Sequence, residues 1–144
     1  MLNDIEIKSY VEKKQIISEN YDELSLTPNG YDLRIEDIKP GNKIMSNHVF
    51  FVSTYEKLNL PDNITGSLFI KSRYSRKGIF SSFGFVDAGF KGNLTLTFYN
   101  AGDDIAFKKY EKIAQIVFYQ INTPEKNYEN RSGNYQNSSG MNLK

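Results

Sequence analysis

The chain has 144 residues, 39% hydrophobic and 24% charged, which suits one globular domain with a real core. Eighteen Lys and Arg against seventeen Asp and Glu leave a net charge of +1, so nucleic acid, which calls for a cationic groove, is not an expected partner. The absence of Cys and the single His exclude disulfides and thiolate chemistry and leave too few soft ligands for a protein-built zinc site. No apolar run approaches the ~20 residues of a membrane span, and the amino terminus lacks a secretory apolar core, so a soluble cytoplasmic protein with no membrane partner is expected.

Asn3 followed by Glu6 fits a capping box, and Ile7, Tyr10, Val11 and Lys14 recur at helical spacing. A short amphipathic helix packing as a lid should open the chain. Beyond it, short runs rich in Ile, Val, Phe, Tyr and Thr are broken by Pro28-Asn29-Gly30, Pro40-Gly41-Asn42, Pro61-Asp62-Asn63 and Ala101-Gly102-Asp103-Asp104. This is an all-β rhythm. In Leu94-Thr95-Leu96-Thr97-Phe98-Tyr99 the leucines and Phe98 face one way and the threonines and Tyr99 the other. Lys112 to Tyr119 is more continuously apolar and reads as a central strand, in which Gln115 needs a partner if buried. After Thr123-Pro124 aliphatic residues nearly vanish. Residues 1–123 are therefore read as one β domain and 124–144 as a flexible tail.

The strongest functional signal is Phe83-Gly84-Phe85-Val86-Asp87-Ala88-Gly89-Phe90-Lys91-Gly92, read as a tight hairpin that sets one carboxylate among glycines and aromatics. An unpaired carboxylate in apolar surroundings is costly, while glycines admit a ligand or a second backbone closely. Asp87 is either a catalytic group or a turn-capping residue. Similar alternatives attend Ser72, which closes a turn or binds a ligand, Arg76 beside Lys77, and Gln115, which a neighbouring backbone can satisfy. His48, beside Val49-Phe50-Phe51-Val52, reads as a strand residue without a chemical role.

Five collinear segments resemble the trimeric dUTP diphosphatase and dCTP deaminase superfamily. Gly30-Tyr31-Asp32-Leu33-Arg34 is similar to A-G-Y-D-L and S-Y-D-L-R, and Thr54 to Pro61 resembles T-x-E-x-x-x-L-P, the approach to the second segment. Lys71-Ser72-Arg73-Tyr74-Ser75-Arg76-Lys77-Gly78 resembles R-S-S-L-A-R-x-G, with Lys71 and Arg73 as departures. The Asp87 segment fits G-x-I-D-x-x-x-x-G, and Lys112-Ile113-Ala114-Gln115-Ile116 fits R-I-A-Q-L. In the tail, Arg131 and Ser138-Ser139-Gly140 match the ends of the diphosphatase motif, while Ser132 to Gln136 resembles the deaminase S-G-K-Y-Q.

The resemblance implies an all-β distorted jelly-roll, the dUTPase-like β-clip, and a homotrimer with active sites at subunit interfaces. It implies a dUTP diphosphatase in which Asp87 activates a water that attacks the α-phosphorus with Mg²⁺ assistance, while Asp32 orients metal-bound water. Ser72, Gln115, Arg131 and Arg76 would hold the phosphates, with Lys71 weaker, and Gly84, Phe85 and Val86 would admit the deoxyribose and base. Tail closure would bring Arg131, Ser138 and Ser139 over the triphosphate and stack Tyr135 on the base. The alternatives are a dCTP deaminase, alone or bifunctional, and a catalytically weak nucleotide-binding regulator. Deaminases of the superfamily carry a glutamate in T-L-E-F-Y-N where this chain has Thr97, and a threonine hydroxyl has no useful pKa near neutrality.

Overall fold

In the computed structural model, which describes residues 1–144, the Asn3 side chain accepts from the Glu6 N–H and the Glu6 carboxylate accepts from the Asn3 N–H, both at 2.9 Å. These bonds satisfy donors that the first helical turn cannot. The capped helix, α1 (Asp4–Glu12), lays Ile7 into the core, and Leu2 ahead of it donates its N–H to the Phe118 carbonyl.

The rest is β structure: β1 (Ile16–Glu19), a 3₁₀ turn (Glu23–Ser25), β2 (Leu26–Thr27), β3 (Gly30–Lys39), β4 (Lys43–Ile44), β5 (His48–Thr54), β6 (Lys57–Asn59) and β7 (Ile64–Ile70). A one-turn helix α2 (Ser72–Ser75) precedes β8 (Ile79–Ser81), β9 (Phe85–Val86), β10 (Lys91–Gly92), β11 (Thr95–Asn100), β12 (Ile105–Ala106), β13 (Lys112–Gln120) and a last turn α3 (Tyr128–Arg131). All strand pairing is antiparallel, in a distorted jelly-roll: a curled sheet in the order β8-β11-β5-β3-β13-β7-β9 with β2 on β3, a small sheet β1-β6-β10, and the pair β4-β12.

The long strands β3 and β13 divide the interior. Tyr31 and Leu33 of β3, with Ile116 and Phe118 of β13, belong to one apolar cluster together with Ile7, Leu58, Ile64 and Phe90. Ile35 and Ile38, with Ile113 and Ala114, belong to a second built around Phe50, Phe98 and Phe107. Irregular register between Ile35 and Asp37, and between Lys112 and Ala114, lets each strand bend from one cluster to the other. Each fully buried Phe or Ile contributes roughly 1.5–3 kcal/mol, so both clusters matter to stability.

The strands expected at Leu94–Tyr99 and Lys112–Tyr119 are present as β11 and β13, each bound within a residue of the reading; β11 alternates as read, and β13 is flanked by β3 and β7. His48 is the exposed first residue of β5. The expected hairpin around Asp87 is corrected: β9 pairs with β7 in the large sheet and β10 with β6 in the small one, so the flanking strands never pair with each other. Each is two residues long, too short for a period to reveal its partner. Residues 124–144 run back over the domain, joined to it by a parallel bridge between Gly92 and Ser138. No helix is long and apolar enough to cross a membrane.

Candidate functional site

The loop between β9 and β10 is fastened on both sides. Gly89 donates to the Pro61 carbonyl, Tyr128 donates to the Ala88 carbonyl, and the Thr65 hydroxyl donates to the Val86 carbonyl. Val86, Ala88, Gly89 and Phe90 are buried, whereas Asp87 between them is exposed. None of the chain's six ion pairs includes Asp87. A free carboxylate on a rigid, mostly buried loop is a displayed group, and no turn-capping bond to its side chain occurs.

Asp87 opens onto a cavity of about 640 Å³, also lined by Gly84, Phe85, Val86, Tyr135 and Ser138 among the residues expected from sequence. Phe83, Phe90, Leu94 and Leu96 form its apolar wall, and the Thr95 and Thr97 hydroxyl side chains project from β11. Flat apolar surface with a few polar groups suits a nucleoside. Asp87 is the single acidic side chain on the cavity wall. A smaller cavity of about 200 Å³ joins Asp87 to Arg131 and Lys126. Thr97, the position at which the superfamily's deaminases carry a glutamate, lies on this wall, whereas Phe90, Thr95 and Asn142 were missed by sequence reasoning; the alternation of β11 was the one signal that could have found Thr95.

The tail closes the same cavity from the same chain. Asn137 donates its N–H to Lys91, Asn93 donates to the Ser138 carbonyl, the Gln136 side chain bridges Lys91 N–H and the Gly89 carbonyl, and Asn142 N–H reaches the Thr95 hydroxyl. The Ser138 hydroxyl donates to the Tyr135 carbonyl at 2.7 Å. Ser139 is exposed and does not line the cavity.

The remaining candidates lie elsewhere. β7 meets β9 at Gly66 and Ser67 and then runs on, so Ser72 lies on the order of 15 Å further along at ~3.3 Å per residue. Ser72 and Arg76 are exposed there. Gln115 donates its amide to the Thr27 hydroxyl at 2.9 Å, and Lys71 donates to the buried Asp32 carboxylate at 2.6 Å. One chain therefore does not bring Ser72, Arg76, Lys71 or Gln115 to Asp87.

A further charged group sits deep in the domain. Glu56, wholly buried, accepts from the Tyr31 hydroxyl, from the Arg34 N–H and from the Arg34 guanidinium at 2.7 Å. Burial pushes its pKa above the usual carboxylate range despite Arg34, and burial likewise raises the Tyr31 phenol. This network joins two of the recognised sequence segments and is structural.

Mg²⁺ held by a protein needs converging oxygen ligands. No three acidic or His side chains converge, one Asp32 oxygen is held by Lys71, and the other is buried without a partner. These residues build no three-ligand cluster for a protein-held ion, and Asp32 keeps one acceptor oxygen without a partner.

A dCTP deaminase-like family model matches residues 37–121. The chain is 38% identical over 142 residues to the dCTP deaminase of Pyrococcus horikoshii, covering 90% of each chain. The fold is similar to that of the 2'-deoxycytidine 5'-triphosphate deaminase of Agrobacterium tumefaciens, with a TM-score of 0.70 and 21% identity over 81% of this chain and 46% of that one. The chain thus spans under half of the Agrobacterium protein. The native EIAV dUTPase is similar at a TM-score of 0.57 and 24% identity, over 77% of this chain and 88% of that one.

Proposed function

Because the chain belongs to the dUTPase and dCTP deaminase superfamily, we propose that it turns over a pyrimidine deoxynucleoside triphosphate, with deamination of dCTP as the leading reading. The observation that carries it is the likeness to the Pyrococcus enzyme over nine tenths of both chains, joined to a nucleoside-sized cavity at the Asp87 segment. The base and deoxyribose would lie against Gly84, Phe85, Val86 and Phe90. In deamination the oxygen of a water bonds to C4 and the C4–N4 bond breaks, giving dUTP and ammonia. With Thr97 untitratable near neutrality, the proton leaving the water passes through Asp87, the one acidic side chain of the cavity, to the departing amine.

That same threonine favours a second reading, dUTP diphosphatase. A hydrolase needs a single base, and Asp87 would deprotonate a water that bonds to the α-phosphorus as the bond to the pyrophosphate oxygen breaks. The superfamily's dUTPase likeness accompanies this reading at the level of fold. In either case the nucleotide would arrive with Mg²⁺ on its phosphates as part of the substrate.

The phosphates would be met by a second copy of the chain, in a homotrimer. The α2 segment carries Lys71, Arg76 and Lys77 within seven residues, yet lies far from Asp87. Beside Thr97, an apolar stripe crosses three strands in register, Phe80, Tyr99 and Val49, which are 58%, 40% and 50% exposed. Such a stripe suits a subunit contact. Sedimentation of the purified chain tests the assembly.

One assay separates the chemistries: incubation with dCTP or dUTP and Mg²⁺, scoring ammonia and pyrophosphate independently, for the wild type and Asp87→Asn. Ammonia from dCTP that is lost in Asp87→Asn upholds deamination. Pyrophosphate from dUTP without ammonia moves the assignment to the diphosphatase. Nucleotide binding with neither product overturns both and leaves a binding regulator.

A further inference from the structure

We propose that Glu111 is a positioning residue that fixes the α2 turn and the start of β13 for the triphosphate; the inference rests on reading Ser72, Arg76 and Gln115 as the phosphate side of the site. The α2 turn has only four helical residues and cannot hold itself in place. Its anchor is Tyr74, 2% exposed, whose ring packs on Phe107 at 5.4 Å between centroids. The Tyr74 hydroxyl donates to Glu111 Oε2 at 2.5 Å, and the Arg73 guanidinium reaches the same oxygen at 3.0 Å. Glu111 Oε1 accepts from the Lys108 N–H at 2.9 Å, so both carboxylate oxygens are engaged and the loop before β13 is tied to α2. A backbone bond from Lys71 N–H to the Ile113 carbonyl closes the junction.

The arrangement accounts for two residues that depart from R-S-S-L-A-R-x-G. Arg73 stands at a small-residue position, but its guanidinium lies over the Tyr74 ring at 4.6 Å and is committed to Glu111, so it is no free phosphate ligand. Tyr74 stands at the leucine position and adds a hydroxyl that needs an acceptor when buried. Glu111 serves both. It is also the residue immediately before β13, three positions ahead of Ala114 and four ahead of Gln115. Movement of this carboxylate would therefore shift Ser72 and Arg76 on one side and Gln115 on the other, with no direct contact to nucleotide.

The test compares binding of dCTP and dCMP by calorimetry in the wild type, Glu111→Ala, Glu111→Gln and Tyr74→Phe, with hydrogen exchange of the α2 amides. Glu111→Ala should weaken dCTP roughly tenfold, the scale of one charge-assisted hydrogen bond, and leave dCMP unchanged. Glu111→Gln, which keeps an acceptor for the phenol, should recover most of the loss. Tyr74→Phe keeps the core ring and should shift dCTP affinity in the same direction, which covers the case in which Glu111→Ala fails to fold. Equal weakening of dCTP and dCMP, or no weakening of dCTP, overturns the inference. A wild type that binds neither nucleotide overturns the nucleotide reading alone; faster exchange of the Arg76 and Tyr74 amides in Glu111→Ala then upholds the clamp, and unchanged exchange overturns it.

Discussion

Gly92→Ala should release the tail from the domain. Gly92 has φ +140°, a conformation that L residues rarely adopt, and a Cβ there would lie 2.8 Å from both the backbone nitrogen and the carbonyl oxygen of Ser138. The obstacle is backbone, so no rotamer relieves it. Strain at such a φ costs about 1–3 kcal/mol, whatever the tail does. Displacing Ser138 also breaks the bonds on either side, Asn137 N–H to Lys91 and Asn93 N–H to Ser138, at 2.8 and 2.9 Å. At about 0.5–1.5 kcal/mol each, net, their loss is comparable with the strain. Once the tail lets go, its regained freedom offsets that second cost. Urea unfolding should therefore register only the strain, about 1–3 kcal/mol, while hydrogen exchange at Asn93 and Asn137 rises sharply. Deleting residues 124–144 provides the control, because the alanine should then cost the same without any tail to lose. Retained protection of both amides in full-length Gly92→Ala would refute this account of the docking.

Thr97→Glu places a carboxylate on the cavity wall opposite the base-binding loop, and ammonia release from dCTP should rise by at least ~10²-fold, the usual contribution of a positioned acid–base group. A folded variant with no gain would show that position 97 does not face the reacting carbon. Arg34→Met strands the buried Glu56 charge and should cost about 3–5 kcal/mol at pH 7 by urea unfolding. Because burial holds the Glu56 pKa above its unfolded value, the folded chain gains on protonation, and the deficit should shrink as pH falls from 7 to 5; a deficit that grows on acidification contradicts this. Burial and the Glu111 hydrogen bond push the Tyr74 phenol up to about 12. A raised folded-state pKa contributes stability that is complete below pH 10 and is lost as pH climbs toward 12, so thermal unfolding should shift downward across that window and Tyr74→Phe should flatten the shift.

What could be read beforehand was local. The capping box needs residues three apart, and the alternation of β11 needs only a period of two, so both were visible in the letters. Asp87 stood out because its neighbours are those of a buried loop while its side chain is not. The course of β9 and β10 was hidden, since two residues carry no period and their partners lie at Gly66–Ser67 and Leu58–Asn59. Gln115 finds Thr27 across 88 positions, and Glu111 finds Tyr74 across 37, distances that no short motif spans. The tail looked unable to order itself for want of aliphatic residues, yet it docks through main-chain groups and amide side chains, an interaction that hydrophobic patterning does not register.

The parting of β9 and β10 makes the Asp87 loop a suspension between two separately founded supports. Whatever grips that carboxylate and the neighbouring wall at once sews the small sheet to the large one, so an occupant would make their melting more cooperative. The separate pair β4-β12, which lends the Asp87 cavity no residue, would gain least from such stitching.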